Sequence, residues 1–272
     1  FLKLQKLQPN WKEIIAVDRE YYQTVLNLPA KKKILIATSV GAHLPGTILE
    51  STLAVALTLR QAEVHILLCD AFLPACLDCM HGITIDELQL AAFGPQQKLC
   101  KDCFLSAYKM YQPLGIKIHK YSEYIIPAER EIAERIAATV DYNQIKDYCY
   151  EDLAIGEHAL AGALRFYARG SLNTTQDHYS EQILRKFFQA ALLTMFVVKR
   201  FLKKIKVDSA VFHHGIYVPQ GIIGEVCRAE KVRVVNWNPA YRKGCFIFSH
   251  QDTYHHTLMT EATNKWENLE LS

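Results

Sequence analysis

Two short apolar runs, Ile34-Leu35-Ile36-Ala37-Thr38 and Val64-His65-Ile66-Leu67-Leu68-Cys69-Asp70, constrain the fold of this chain more than any other feature. Runs this short, without polar alternation, read as strands buried on both faces, as in a parallel sheet. Parallel neighbours need a crossover. The intervening chain supplies one: a loop, Ser39 to Gly46, then a helix running to about Gln61, with Thr47 placed to cap it. The chain thus opens as β-loop-α-β, the first unit of a doubly wound sheet. The pattern resumes late, with a strand at Ser209 to Phe212, a helix from Pro219 to Glu230, a strand at Val232 to Trp237 and another at Cys245 to Ser249. Between the two halves the spacing predicts helices over Asp86–Phe93, Leu99–Tyr111, Ala128–Val140, Leu153–Ala168 and Ser180–Lys204, and a short strand over Gly115–Lys120. Residues 1–30 read as an N-terminal helical extension closed by Pro29. The expected class is α/β: a Rossmann-like doubly wound parallel sheet over 31–255 with helical insertions, one of them a cysteine-rich segment at 70–105.

Half of the 272 residues are hydrophobic, enough for a sizeable core. Lys plus Arg is 31 against 28 for Asp plus Glu, and a net charge of +3 is too weak to imply a nucleic-acid partner. The longest mostly apolar run, Ala190 to Val198, falls far short of a membrane span. Peripheral membrane contact is left open. The first thirty residues contain no apolar signal-peptide core, which places the chain in a reducing cytoplasm. It begins at Phe1 and ends in a polar stretch, so it reads as cut at both ends.

Eight cysteines in such a setting point to thiols or metal ligands rather than disulfides. Four form two pairs, Cys76-x2-Cys79 and Cys100-x2-Cys103. Two such knuckles match a tetrahedral four-cysteine zinc site, closed and therefore structural. A four-cysteine Fe–S cluster uses the same ligands, and free or redox-paired thiols are the plain alternative. Cys69, Cys149, Cys227 and Cys245 read as small apolar residues.

Ligands of doubly wound sheets bind outside the carboxyl ends of the strands. Three such ends are polar and contain glycine. In the first, Gly41 and Gly46 flank His43 near a helix N-terminus, where backbone N–H groups hold anionic or hydroxylated ligands. The loop is neither a dinucleotide fingerprint nor a P-loop. The second is His213-His214-Gly215; adjacent strand residues face opposite ways, so one histidine is expected in the cleft and the other buried. The third carries Tyr241, Arg242 and Lys243, whose charges suit phosphate or carboxylate.

Several of these segments together resemble a known family. They are Cys69 to Cys79, Cys100-Lys101-Asp102-Cys103, GEHALAGALRFYARG from Gly156, HHGIYVPQG from His213 and YRKGCFIFSHQDTYHH from Tyr241. The resemblance is to the N-terminal half of bacterial capsule-polysaccharide-biosynthesis glycosyltransferases of the GT-B type. It implies the acceptor-side domain of an enzyme that moves sugar from a nucleotide-sugar to a glycan or lipid-linked acceptor, at the cytoplasmic face of the inner membrane. The donor domain would follow residues 256–272, and without it the chain would be inactive. On this reading His43, or after it His214, is the base that deprotonates the acceptor hydroxyl. Gly41, Gly46, His213, Gly215 and Tyr241 belong to the substrate site, and Arg242 and Lys243 offset diphosphate charge. A non-catalytic zinc-stapled binding or assembly domain is the rival reading.

Overall fold

The computed structural model describes residues 8–172, 177–242, 244–253 and 256. Lys243 and nearly all of the 256–272 segment therefore lie outside the described residues. Two short helices, α1 (Trp11–Ala16) and α2 (Arg19–Asn27), precede a six-stranded sheet. Its strands are β1 (Lys32–Ser39), β2 (Ala62–Leu68), β3 (Lys117–Lys120), β4 (Ser209–His213), β5 (Arg233–Pro239) and β6 (Phe246–His250). Their spatial order is β3-β2-β1-β4-β5-β6, parallel throughout except for the antiparallel edge strand β6. The expected Rossmann-like α/β architecture is therefore present, and the order reverses between β1 and β4.

The central strands read as apolar runs because both faces are covered. Leu35 and Leu67 face one core cluster, while Ile34, Ile36, Ile66 and Leu68 face the other. Helix α3 (Leu44–Thr58) joins β1 to β2. Its N-cap is His43, not Thr47, and Pro45 occupies the first turn, where a missing N–H costs nothing. Thr47 lies inside that turn and its hydroxyl donates back to the Leu44 carbonyl at 3.0 Å. Helices α4 (Glu87–Phe93) and α5 (Gln97–Tyr111) follow β2; α6 (Pro127–Thr139), α7 (Ile155–Tyr167) and α8 (Ser180–Lys204) separate β3 from β4; α9 (Gln220–Ala229) joins β4 to β5.

Helix α8 is the pillar of the larger core. Every residue from Ala190 to Val198 is buried, as are Phe187, Phe188 and Phe201. Each fully buried side chain of this size contributes about 1.5–3 kcal/mol. A helix that is buried on every side from Ala190 to Val198 is explained by its place in the core. Among the described residues no helix is long and apolar enough to cross a membrane.

Candidate functional site

The carboxyl ends of the parallel strands carry a concentration of unusual backbone. Ser39 at the end of β1 (φ 56°), Ala71 after β2 (φ 62°) and His214 after β4 (φ 68°) are all left-handed without being glycine. Such residues cost about 1–3 kcal/mol each and gather where structure serves function. The β1–β2 register also breaks between Ile36 and Ser39, an irregularity of the kind found beside active sites.

A small cavity opens where the strand order reverses. Its walls include His43, Gly46, Glu50, Leu77, His213 and Gln220. Gly46 is required there, because a Cβ would sit 2.7 Å from the His43 ring. The His43 and His213 rings stack at 4.9 Å, and His213 lies 4.5 Å from the Trp237 ring. Burial, then the charge of Arg165, lowers the pKa of His43. Burial, then neighbouring His43, His214 and Arg165, lowers that of His213 to about 3. Both rings are neutral at physiological pH. Among the described residues His43 Nε2 and Gln220 Oε1 are buried without hydrogen-bond partners.

Beneath them Glu50 is 1% exposed. Burial raises its pKa to about 7, against hydrogen bonds involving Thr38, Trp237, Tyr111 and the His213 backbone. Trp237 Nε1 donates to Glu50 Oε1 at 2.9 Å, and Thr38 and Tyr111 share a hydroxyl–hydroxyl bond of 2.6 Å. The carboxyl group is thus held above its ordinary ionisation range inside a buried polar cage.

Ser39 occupies the opposite face of the β1 end. Its buried hydroxyl donates to the Ala37 carbonyl at 3.2 Å and bonds the Tyr121 hydroxyl at 2.8 Å. Its carbonyl accepts from Cys69 N at 2.9 Å. Burial holds the Tyr121 phenol well above its usual pKa, so it is a proton-bearing partner.

The structure brings His43, Gly46 and His213 to one place. It does not bring His214 into the cavity: that ring packs on Tyr217 at 4.6 Å. Gly41 is a packing residue, its N–H donating to Cys103 Sγ at 3.2 Å and its missing Cβ leaving room for the Cys103 carbonyl. Gly215 is left-handed (φ 82°) and makes space for the Asn236 amide. Tyr241 and Arg242 stand exposed at the β5–β6 turn. Ser39, Glu50 and Gln220 were not singled out in the sequence. Only the position of Ser39 at the end of the first strand could have drawn attention to it.

The expected four-cysteine zinc knuckle is not present. Among the described residues no group of three or more His, Cys, Asp or Glu is arranged to hold a metal ion. Cys76 and Cys79 do lie on a tight turn, with Cys79 N donating to the Cys76 carbonyl at 2.9 Å. Cys100 and Cys103, however, lie within α5 rather than on a knuckle, and Cys103 Sγ is engaged by the Gly41 N–H. Zinc and Fe–S ligation by Cys76, Cys79, Cys100 and Cys103 is corrected on that ground.

No family model matches the chain, and no curated protein matches it in sequence. A solved structure does match in fold: a CDPS, or cyclodipeptide synthase, from Fluoribacter dumoffii, with TM-score 0.50 and 14% identity, covering 84% of this chain and 94% of that one. A cyclo(L-leucyl-L-phenylalanyl) synthase overlaps more loosely, with TM-score 0.34, 14% identity and coverage of 75% and 86%. The first match shows a shared fold, and the second is too loose to argue from.

These findings overturn the resemblance to capsule glycosyltransferases, since the fold match is to a cyclodipeptide synthase. The nucleotide-sugar donor and the glycan or lipid-linked acceptor fall with it, as does the rival zinc-stapled domain. The physical reason lies in what the motif residues do. In GEHALAGALRFYARG, Gly156 and Gly162 let α7 pack closely on Ile145 and Phe187, and the Cβ absent at Gly221 would strike His158. Small residues at close helix contacts suit many α/β proteins and do not specify a substrate. The exclusion of nucleic acid rested on total charge, which says nothing of how charge is distributed.

Proposed function

We propose that this chain is an acyl-transfer enzyme that joins aminoacyl groups into cyclic dipeptides, receiving them as esters of tRNA. Cyclodipeptide synthases use aminoacyl-tRNAs, and the shared fold brings that class into consideration for this chain. The observation that carries the reading is Ser39, a hydroxyl at the strained end of the central strand, where ligands of such sheets bind. In the proposed step Ser39 Oγ attacks the aminoacyl ester carbonyl. A new carbon–oxygen bond forms to the serine, the bond to the tRNA ribose breaks, and the serine proton goes to the departing ribose oxygen. Tyr121, as a phenol, orients the Ser39 hydroxyl. The amino group of a second aminoacyl ester then attacks the Ser39 ester carbonyl. A carbon–nitrogen bond forms as the bond to Ser39 breaks, and the amine proton returns to the Ser39 oxygen. In the ring-closing attack on the remaining ester, His43, rather than His214, takes the amine proton and passes it to the departing ribose oxygen, since its ring is neutral and its Nε2 is without a partner among the described residues.

The test is incubation with a charged tRNA pool bearing labelled amino acids, followed by mass spectrometry for cyclic dipeptides and for an acylated protein. Ser39→Ala should remove the acyl adduct and cut product formation by about 10³-fold or more. Absence of cyclic dipeptide from every aminoacyl-tRNA, or full activity of Ser39→Ala, overturns the reading.

A further inference from the structure

Five of the eight cysteines, none with a role of its own in the proposed chemistry, converge on one region. The thiols of Cys69, Cys79, Cys100 and Cys103 all lie within electrostatic reach of Cys76, their common neighbour. Cys79 stands apart from the other three because it closes one tight turn with Cys76, its backbone N–H donating to the Cys76 carbonyl at 2.9 Å. All eight cysteines are free. We propose that Cys76 and Cys79 form a reversible dithiol–disulfide pair whose oxidation reshapes the wall of the β1–β4 cavity.

The coupling to the cavity runs through the two residues between them. Leu77 is a cavity wall residue; its N–H donates to the Val218 carbonyl at 2.9 Å and its carbonyl accepts from Arg165. Arg165 is the cation that acts on both His43 and His213. Asp78 follows, with Oδ2 buried and without a partner among the described residues and its carbonyl accepting from Thr84 at 2.7 Å. A disulfide demands Cβ atoms about 3.8 Å apart and a dihedral near 90°. Drawing the turn into that geometry moves Leu77, and with it the Arg165 anchor beside the histidine stack. The reaction balances with a peroxide as oxidant. Two S–H bonds break, one S–S bond forms, and the two electrons and two protons reduce hydrogen peroxide to two waters. A dithiol such as dithiothreitol reverses it.

This inference stands apart from the proposed acyl transfer, and its test needs no substrate. The purified chain is exposed to hydrogen peroxide, remaining thiols are trapped with N-ethylmaleimide, and peptides are mapped by mass spectrometry. The expected result is a loss of about 2 Da on the segment joining Cys76 to Cys79, reversed by dithiothreitol. The His43 and His213 ring resonances should shift on oxidation and return on reduction. In Cys79→Ser, or in Cys76→Ala should that variant not fold, neither change should occur. Pairing of Cys76 with Cys69, Cys100 or Cys103 overturns the inference. So does stepwise oxygen addition to Cys76 without a cross-link, or a Cys76–Cys79 bond that leaves both histidine signals unmoved.

Discussion

Glu50→Gln should stabilise the protein at neutral and alkaline pH and leave it unchanged near pH 4.5. The wild-type carboxyl is 1% exposed and its pKa is raised by burial from about 4.5 to about 7. In the unfolded chain it ionises near its ordinary value. Between those two values the native state therefore holds the proton more tightly than the unfolded state, so stability falls as pH rises through the window and is fully present below it. A tenfold difference in proton affinity is about 1.4 kcal/mol, which makes the penalty above neutral pH about 3 kcal/mol at most. Glutamine imitates the protonated acid: it still accepts from Trp237 Nε1 and cannot ionise. The variant should match wild type near pH 4.5 and exceed it by about 1–3 kcal/mol near pH 8.5. Urea denaturation followed by tryptophan fluorescence at both pH values measures the difference. An increment that is the same at both, or a variant less stable at the higher pH, refutes the reasoning.

Two further outcomes follow from burial elsewhere. His65, with Nδ1 on His119 at 2.9 Å and Nε2 on Glu63 at 3.1 Å, is lowered to about 4 by burial and then by His119. Its contribution to stability is present above the usual histidine value near 6.5 and is lost as pH falls from there to about 4; a ring shown by NMR to protonate near 6.5 in the folded chain would sink this. Gly156→Ala places a Cβ 1.7 Å from the Ile145 carbonyl oxygen, whereas Gly170→Ala meets nothing within 4 Å. The first should cost about 3 kcal/mol or more and the second less than about 1 kcal/mol, and equal urea midpoints for the two would contradict the close packing of α7.

The strands and long helices were legible because their signal is local. The mainly apolar segments at Ile34–Thr38 and Val64–Leu68 describe strands covered on both faces, and α8 was readable to its ends. The start of α3 was less so. Thr47 has the chemistry of a cap, but Pro45 two residues earlier already fits a first turn, and the helix begins there. The cysteine pairs misled for a related reason. Spacing reports two thiols three residues apart, and that separation occurs equally on a metal knuckle, on a plain turn such as Cys76–Cys79 and on a helix such as α5.

The sequence by itself therefore determined the α/β class, the parallel strands and the loops after them that hold polar residues, since periodicity and turn chemistry act over a few neighbours. Only the tertiary structure decided which of those residues meet. His43 stacks on His213 across 170 positions of sequence, while the adjacent His214, left-handed just past the end of β4, packs its ring on Tyr217. Glu50 reads in the sequence as one more helix carboxylate, and it becomes a buried acid only because Trp237, Thr38 and Tyr111 close around it. Ser39 gains its strained backbone and its Tyr121 partner in the same way, from a register break between strands that no local pattern records.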